Sequence, residues 1–131
     1  DPGFAPAKRY LHNALLLKYL KEKAYEDALK ECLLSDDKIG MGIVFAKTSR
    51  SEETRKILDD LQVQYKKNLE LSYDISILFF ALGERDAGFT WLERALEYKH
   101  RSLWLLKISP HFDSVRDNPR FKAILKKVGF E

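Results

Sequence analysis

A disulfide framework is excluded at once, because the 131-residue chain holds a single cysteine, Cys32. One thiol can neither close a bridge nor build a cysteine metal site within one chain. Proline and glycine are scarce, with four and six copies. They fall near the ends and at a few joints: Pro2, Gly3, Pro6, Gly40, Gly42, Gly83, Gly88, Pro110, Pro119 and Gly129. No stretch alternates apolar and polar residues cleanly enough for a strand. No apolar run approaches the ~20 residues that cross a bilayer, so membrane insertion by this segment is not expected. Charge of one sign is also lacking: 23 basic residues stand against 20 acidic ones. That balance suits solvated helix faces better than a grip on nucleic acid. No glycine-rich phosphate loop is present.

What the chain does have is core. Apolar residues make up 45% and aromatics 12%, enough to bury a real interior and to exclude disorder. The length fits one compact domain spanning residues 1–131. The chain starts at Asp1 rather than Met and shows no signal-peptide pattern. It reads as a piece of a longer protein. The compartment is open: the cytoplasm is favoured, and the periplasm is the alternative should the parent carry a membrane span.

Apolar spacings of three and four dominate, which predicts helices throughout. Pro6 suits a first helical turn, and a helix over residues 6–21 places Leu11, Ala14, Leu15, Lys18 and Tyr19 on its inward stripe. A second helix over 25–34 turns Ala28, Leu29, Cys32 and Leu33 inward, and Ser35-Asp36-Asp37 breaks the chain and caps the next helix. That third helix, over 38–47, carries Ile39, Ile43, Val44 and Phe45. Gly40 and Gly42 weaken it by roughly 1 kcal/mol each relative to alanine, so a neighbour is expected to pack very close. Ser49 and Glu52 have capping-box spacing ahead of a helix over 51–67 with Thr54, Ile57, Leu58, Leu61 and Tyr65 inward. Residues 73–82 are apolar nearly all round and predict a helix buried on most sides. A helix over 86–99 buries Phe89, Leu92, Ala95 and Leu96. A short apolar piece over 103–108 and an irregular stretch around Pro110 and Phe112 lead to a last helix. That helix is capped by Asn118, runs over 119–128 with Phe121, Ile124, Leu125 and Val128 inward, and stops at Gly129.

Self-similarity organises these helices. Gly42 and Ser76, Phe45 and Phe79, Leu58 and Leu92, and Leu61 and Ala95 are each 34 positions apart, which is the period of a tetratricopeptide (TPR) unit. Tyr19 and Phe45, Ala28 and Thr54, and Cys32 and Leu58 are 26 apart, so the first unit is eight residues shorter. The chain resembles the TPR family in these offsets. Tyr25-Glu26-Asp27-Ala28-Leu29 is similar to the family's start of a second helix, and Ala81-Leu82-Gly83 to its inter-helix turn. Gly88 and Thr54 depart from the family's usual alanine, and Leu16 from its usual small residue. The tail, Pro110-His111-Phe112-Asp113-Ser114-Val115-Arg116 followed by Asn118-Pro119-Arg120-Phe121, resembles the ending of TPR segments in bacterial multidomain signalling proteins. The resemblance implies an all-α, TPR-like solenoid of antiparallel helix pairs. Its units fall at about 9–34, 35–68 and 69–102, with a C-terminal capping tail over 103–131.

It also implies a function: a non-enzymatic protein–protein interaction or scaffold module of a bacterial signalling or regulatory protein. The alternative is a sensory domain that binds a small ligand and signals to a fused domain. Either would use a concave groove lined by the first helix of each pair. Carried over by repeat position, that groove comprises Tyr10, Asn13, Leu17 and Lys21, then Ile39, Ile43 and Lys47, then Tyr73, Ile77 and Phe80. Such a set suits an extended or helical peptide, above all an acidic one. The competing occupant is the chain's own tail around Trp104 to Phe112. Self-association through solenoid edges is a further option.

No catalytic, cofactor or metal residues are expected. His12, His100 and His111 lack ligand spacing, and Cys32 on an apolar helix face reads as a buried, inert thiol. Adjacent acidic pairs such as Asp59 and Asp60 diverge round a helix. Residues 99–131 hold eight basic side chains (Lys99, Arg101, Lys107, Arg116, Arg120, Lys122, Lys126, Lys127) against Asp113, Asp117 and Glu131. This reads as a solvated surface, with Arg116 and Arg120 expected to pair with Asp113 or Asp117 and fix the tail.

Overall fold

A computed structural model describes residues 5–129, and side chains from Ala7 to Val128 apart from those of Arg101 and Ser102. The outermost ends of the expected domain, and with them Pro2, Gly3 and Glu131, lie outside the described residues. The described residues form helices joined by short turns and loops, with no strand among them. Seven α-helices run in order: α1 Ala5–Lys21, α2 Tyr25–Leu34, α3 Lys38–Lys47, α4 Ser51–Tyr65, α5 Leu71–Ala81, α6 Arg85–Tyr98 and α7 Pro119–Val128. Two 3-10 helices, Arg101–Leu105 and Pro110–Val115, fill the stretch between α6 and α7. No helix among the described residues is long and apolar enough to cross a membrane.

The punctuation works as its chemistry requires. Asp37 caps α3, its side chain accepting from the Gly40 N–H at 2.9 Å. Asn118 caps α7 by accepting from the Arg120 N–H at 2.8 Å, and Gly129 closes that helix in the left-handed region at φ 109°. The expected capping box at Ser49 and Glu52 does not form. Ser49 adopts φ 63°, so it belongs to the turn that closes α3, where the Arg50 N–H bonds back to the Phe45 carbonyl at 2.9 Å. Arg50 precedes α4 without a side-chain cap.

Consecutive helices pack on each other from α1 to α6, and α3 also packs directly on α5. Gly42 makes that last contact close: a Cβ there would lie 2.7 Å from Leu78 Cδ2. Thr54 stitches α4 to α3, its buried hydroxyl donating to the Gly42 carbonyl at 2.8 Å. The main core runs from α3 to α7, with Leu58, Ile75, Leu78, Phe89, Leu92, Leu106, Phe112 and Phe121 almost fully buried. A smaller cluster of Leu16, Ala28, Cys32 and Val44 joins α1, α2 and α3.

Most inward faces lie where periodicity puts them, but α1 is turned. Leu11 is 61% exposed and Ala14 and Lys18 face solvent, whereas His12 and Leu16 are buried. The helix is rotated because a polar ring, His12, occupies a core-facing position, where carboxylates of α2 and the α3 cap bond both of its nitrogens. Leu33 of α2 likewise points outward.

Candidate ligand groove and a buried histidine cluster

The tail fixes one wall of the candidate site. Phe112 leaves the second 3-10 helix and inserts against Tyr73 and Phe80 of α5, ring centroids 5.9 Å away in each case, and stacks on Phe121 of α7 at 5.7 Å. Arg116 then ties the preceding loop. Its guanidinium donates to the carbonyls of Leu106, Lys107 and Ser109 and bonds Asp113 at 2.8 Å. Arg120 bonds Glu93 of α6 instead of Asp113 or Asp117, at 2.6 Å from Nη2. Trp104, which the fold-back expectation placed near the groove, is 64% exposed.

Between this wall and the inner faces of α1, α3 and α5 lie two adjoining chambers. The larger, about 1100 Å³, is bounded by Leu17, Lys21, Ile43, Lys47, Ile77 and Phe80 together with Pro110, His111, Asp113 and Ser114. The smaller, about 820 Å³, is bounded by Asn13, Leu17, Ile39, Ile43, Tyr73 and Ile77, with Ile108–His111 opposite. Leu17, Ile43, Ile77, Pro110 and His111 line both and form the waist between them. Nine of the ten expected groove positions therefore line one continuous hollow. Tyr10 lines neither chamber and is 77% exposed. Phe80 shows the hollow only part of its ring, because it packs edge-on against Phe89 at 5.0 Å.

The two chambers differ in charge. Lys18, Lys21 and Lys47, at the C-terminal ends of α1 and α3, stand round the larger one together with Glu22 and Asp113, so its cations only just outnumber its carboxylates. Asp37, Glu70 and Asp74 stand round the smaller one, with Arg9 at its edge. Burial pushes the Asp74 carboxyl up to about 6, and the charges of Asp37 and Glu70 add to the shift. At the waist, burial holds His111 below the ordinary histidine range, so its ring is neutral at pH 7 and can donate or accept.

A second constellation lies where α1, α2 and the start of α3 meet. His12 Nδ1 is 2.7 Å from Glu31 Oε2, and Nε2 is 2.7 Å from Asp37 Oδ2. Burial alone would lower the imidazole's pKa, but the bonds to Asp37 and Glu31 outweigh it and hold it above the usual range. With both nitrogens protonated, each N–H donates to a carboxylate. Glu31 also accepts from the Ser35 hydroxyl at 2.8 Å, and its carboxyl is held below its usual range by the bonds from His12 and Ser35. The Cys32 thiol, fully buried, lies beside them. Burial, with Asp37 and Glu31 nearby, pushes it up to about 12, so it is no nucleophile here. Ligand atoms of His12, Cys32 and Asp37 lie within 4.8 Å of one another.

Sequence spacing carries no sign of this cluster, since its hydrogen bonds span 19 and 25 residues. One hint is present: two glycines in one short helix. A Cβ on Gly40 would lie 2.6 Å from both Asp37 Oδ2 and Cys32 Sγ, so the close neighbour expected at Gly40 is this cluster itself.

Comparison with family models, with curated proteins and with solved structures finds no match to this chain.

Proposed function

We propose that this chain is a TPR-like adaptor module, non-enzymatic, that holds a segment of a partner protein in the groove between α1, α3, α5 and the tail. The observation that carries this reading is the hollow itself. Nine positions chosen by repeat register, on three helices separated in sequence, line one surface. The 34-residue register supports the solenoid reading as well: Gly42 and Ser76 are both buried on first helices, and Leu58 and Leu92 on second helices. Direct packing of α3 on α5 is what stacked helix pairs require. The tail motif from Pro110 to Phe121 supports a place in a bacterial signalling or regulatory protein.

The occupant suited to this groove is an extended or helical peptide with an acidic group over Lys18, Lys21 and Lys47 and apolar side chains at Leu17, Ile43 and Ile77. Its affinity would rest on the apolar anchors and its direction on the lysines. Peptide-array screening followed by calorimetry tests this. The Lys21→Glu, Lys47→Glu double variant should weaken an acidic peptide at least tenfold while leaving the melting temperature nearly unchanged. Equal binding by wild type and variant would remove the groove from the reading.

The alternative, a small-ligand sensor, draws on chamber size. About 820 and 1100 Å³ fall near the range of small-molecule pockets. A thermal-shift screen of metabolites separates the two: a small molecule that raises the melting point and competes with no peptide favours the sensor.

A further inference from the structure

We propose that His12, Cys32 and Asp37 form a site for a divalent transition-metal ion of the zinc class, with Glu31 orienting His12 from the far side of the ring. The three ligands come from α1, α2 and the cap of α3, so one ion would pin the three helices of the smaller core cluster. Nitrogen, sulfur and oxygen donors within 4.8 Å of one another match the borderline-soft preference of zinc. Its bonds to such atoms are about 2.0–2.3 Å. Seating the ion requires His12 Nε2 and Asp37 Oδ2, now hydrogen-bonded at 2.7 Å, to part by roughly half an ångström, and the widest pair of ligand atoms, now within 4.8 Å, to close to about 3.5 Å through side-chain rotation.

Two of the three ligands are held from behind, as metal ligands usually are. His12 presents Nε2 because Nδ1 is bonded to Glu31, which is itself held by Ser35. Asp37 presents Oδ2 because Oδ1 accepts from the Gly40 N–H. Gly40 supplies the room: a side chain there would occupy the space beside both Oδ2 and Sγ. An ion has a route in, since Asp37 and Gly40 also line the smaller chamber. The exchange balances. The ion displaces the proton that Nε2 shares with Asp37 and the thiol proton of Cys32, so two positive charges leave as protons and two arrive on the metal. The ion's own charge then stabilises a thiolate that the metal-free site disfavours.

Cobalt is the direct probe, because Cys32 is the chain's only cysteine. Titrating the tag-free chain with Co2+ should saturate at one ion per chain. With a water as the fourth ligand, it should produce a thiolate-to-cobalt charge-transfer band with intense four-coordinate visible bands, and Zn2+ should bleach both. Cys32→Ser should abolish the charge-transfer band. Asp37→Asn keeps an oxygen to cap Gly40 and should weaken binding. Glu31→Gln retains all three ligands and should weaken binding about 10–100-fold without moving the band. The proposal is overturned if the wild-type chain binds no stoichiometric Co2+, or binds it with the pale spectrum of an aqueous six-coordinate ion. It is equally overturned if folded Cys32→Ser and Asp37→Asn chains bind as wild type does. Should a variant fail to fold, the wild-type spectrum decides by itself.

Discussion

Gly88 on α6 faces the ring of Phe80 on α5 so closely that a Cβ would lie 2.6 Å from both Cδ1 and Cε1. The ring cannot retreat, because Phe89 and Phe112 pack edge-on against it at 5.0 and 5.9 Å. The phenyl ring of Phe80 fills the space at this helix contact that a side chain on residue 88 would need. Gly88→Ala should therefore destabilise by about 1–3 kcal/mol, although alanine is the better helix former by about 1 kcal/mol. Urea unfolding measures it, and a stabilised Gly88→Ala chain would refute the contact. The double variant Gly88→Ala, Phe80→Leu should recover part of the loss, since leucine has a shorter reach.

Thr54 makes a second specific contact between helices, through its hydroxyl. It is fully buried and donates to the Gly42 carbonyl across the α3–α4 interface. Thr54→Val keeps the volume and deletes the donor. The expected loss is about 1–2 kcal/mol, the usual effect of removing one partner from a buried hydrogen bond. A destabilisation well below that, read from chemical denaturation, would mean that the bond is incidental.

Gly88 and Thr54 mark the boundary of what a sequence makes readable. Helix spans are legible because their punctuation is local: Asp37, Gly83, Asn118 and Gly129 act within a few residues of themselves. The close approaches at Gly40 and Gly42 are legible as close approaches, but their partners are not, since Cys32 and Leu78 come from other helices. Hydrophobic periodicity misplaces the inward face of α1 because it assigns His12 to solvent. The burial of His12 depends on Glu31 and Asp37, two carboxylates that periodicity cannot bring together. Nine of the expected groove positions, on three helices, border the hollow, whereas Tyr10 does not, because it lies one position off the Arg9, Asn13 and Leu17 stripe of α1 that borders the smaller chamber. The irregular stretch around Phe112 is a 3-10 helix that closes the hollow, and no local signal at Pro110 predicts which surface it will meet.

Asp74 gives the stability of the protein a pH dependence. Its folded pKa, about 6, stands above the ordinary 3.8 because of burial and the charges of Asp37 and Glu70. Between those values the folded state binds more protons than the unfolded state, so the group favours folding at low pH and loses that effect as pH rises towards 6. Asp74→Asn should remove the dependence. At pH 7 the variant should be more stable by about 1–2 kcal/mol, and near pH 3.5 the difference should vanish. Denaturant midpoints at the two pH values are the readout. A variant less stable than wild type at pH 7 would mean that Asp74 carries a partner when folded.

Glu93 works in the opposite direction. Arg120 of α7 donates to it through Nη2 at 2.6 Å and Nε at 3.2 Å, and the same guanidinium lies 5.3 Å from the Phe89 ring centre. The bond holds the Glu93 carboxyl below its usual 4.5. Its contribution is therefore present above the unfolded carboxylate pKa and is lost as pH falls through the lower folded value. Both side chains are more than a third exposed, so Arg120→Ala should lower stability by only about 0.5–1.5 kcal/mol at pH 7. The effect should shrink in acid. Arg120→Lys should recover less than half, since an ammonium cannot bond through two nitrogens and stack on a ring together.

Arg116 offers the sharpest test of whether the tail is a fixed wall. One guanidinium satisfies the carbonyls of Leu106, Lys107 and Ser109 and the Asp113 carboxylate. The loop it gathers contains Ile108–His111, which faces both chambers. Phe112 is anchored independently in the aromatic stack with Tyr73, Phe80 and Phe121. Arg116→Ala should therefore loosen the loop without unseating the plug. Hydrogen exchange should accelerate at the amides of Ile108 and Ser109, which bond the Leu105 carbonyl at 3.0 and 2.8 Å, while those of α5 and α6 keep their protection. Arg116→Lys should not rescue, because one ammonium offers three donors without the planar reach of the fork. If instead protection falls equally in α5, α6 and α7, the tail folds with the core as one unit. Its wall of the groove could then not move independently of the scaffold.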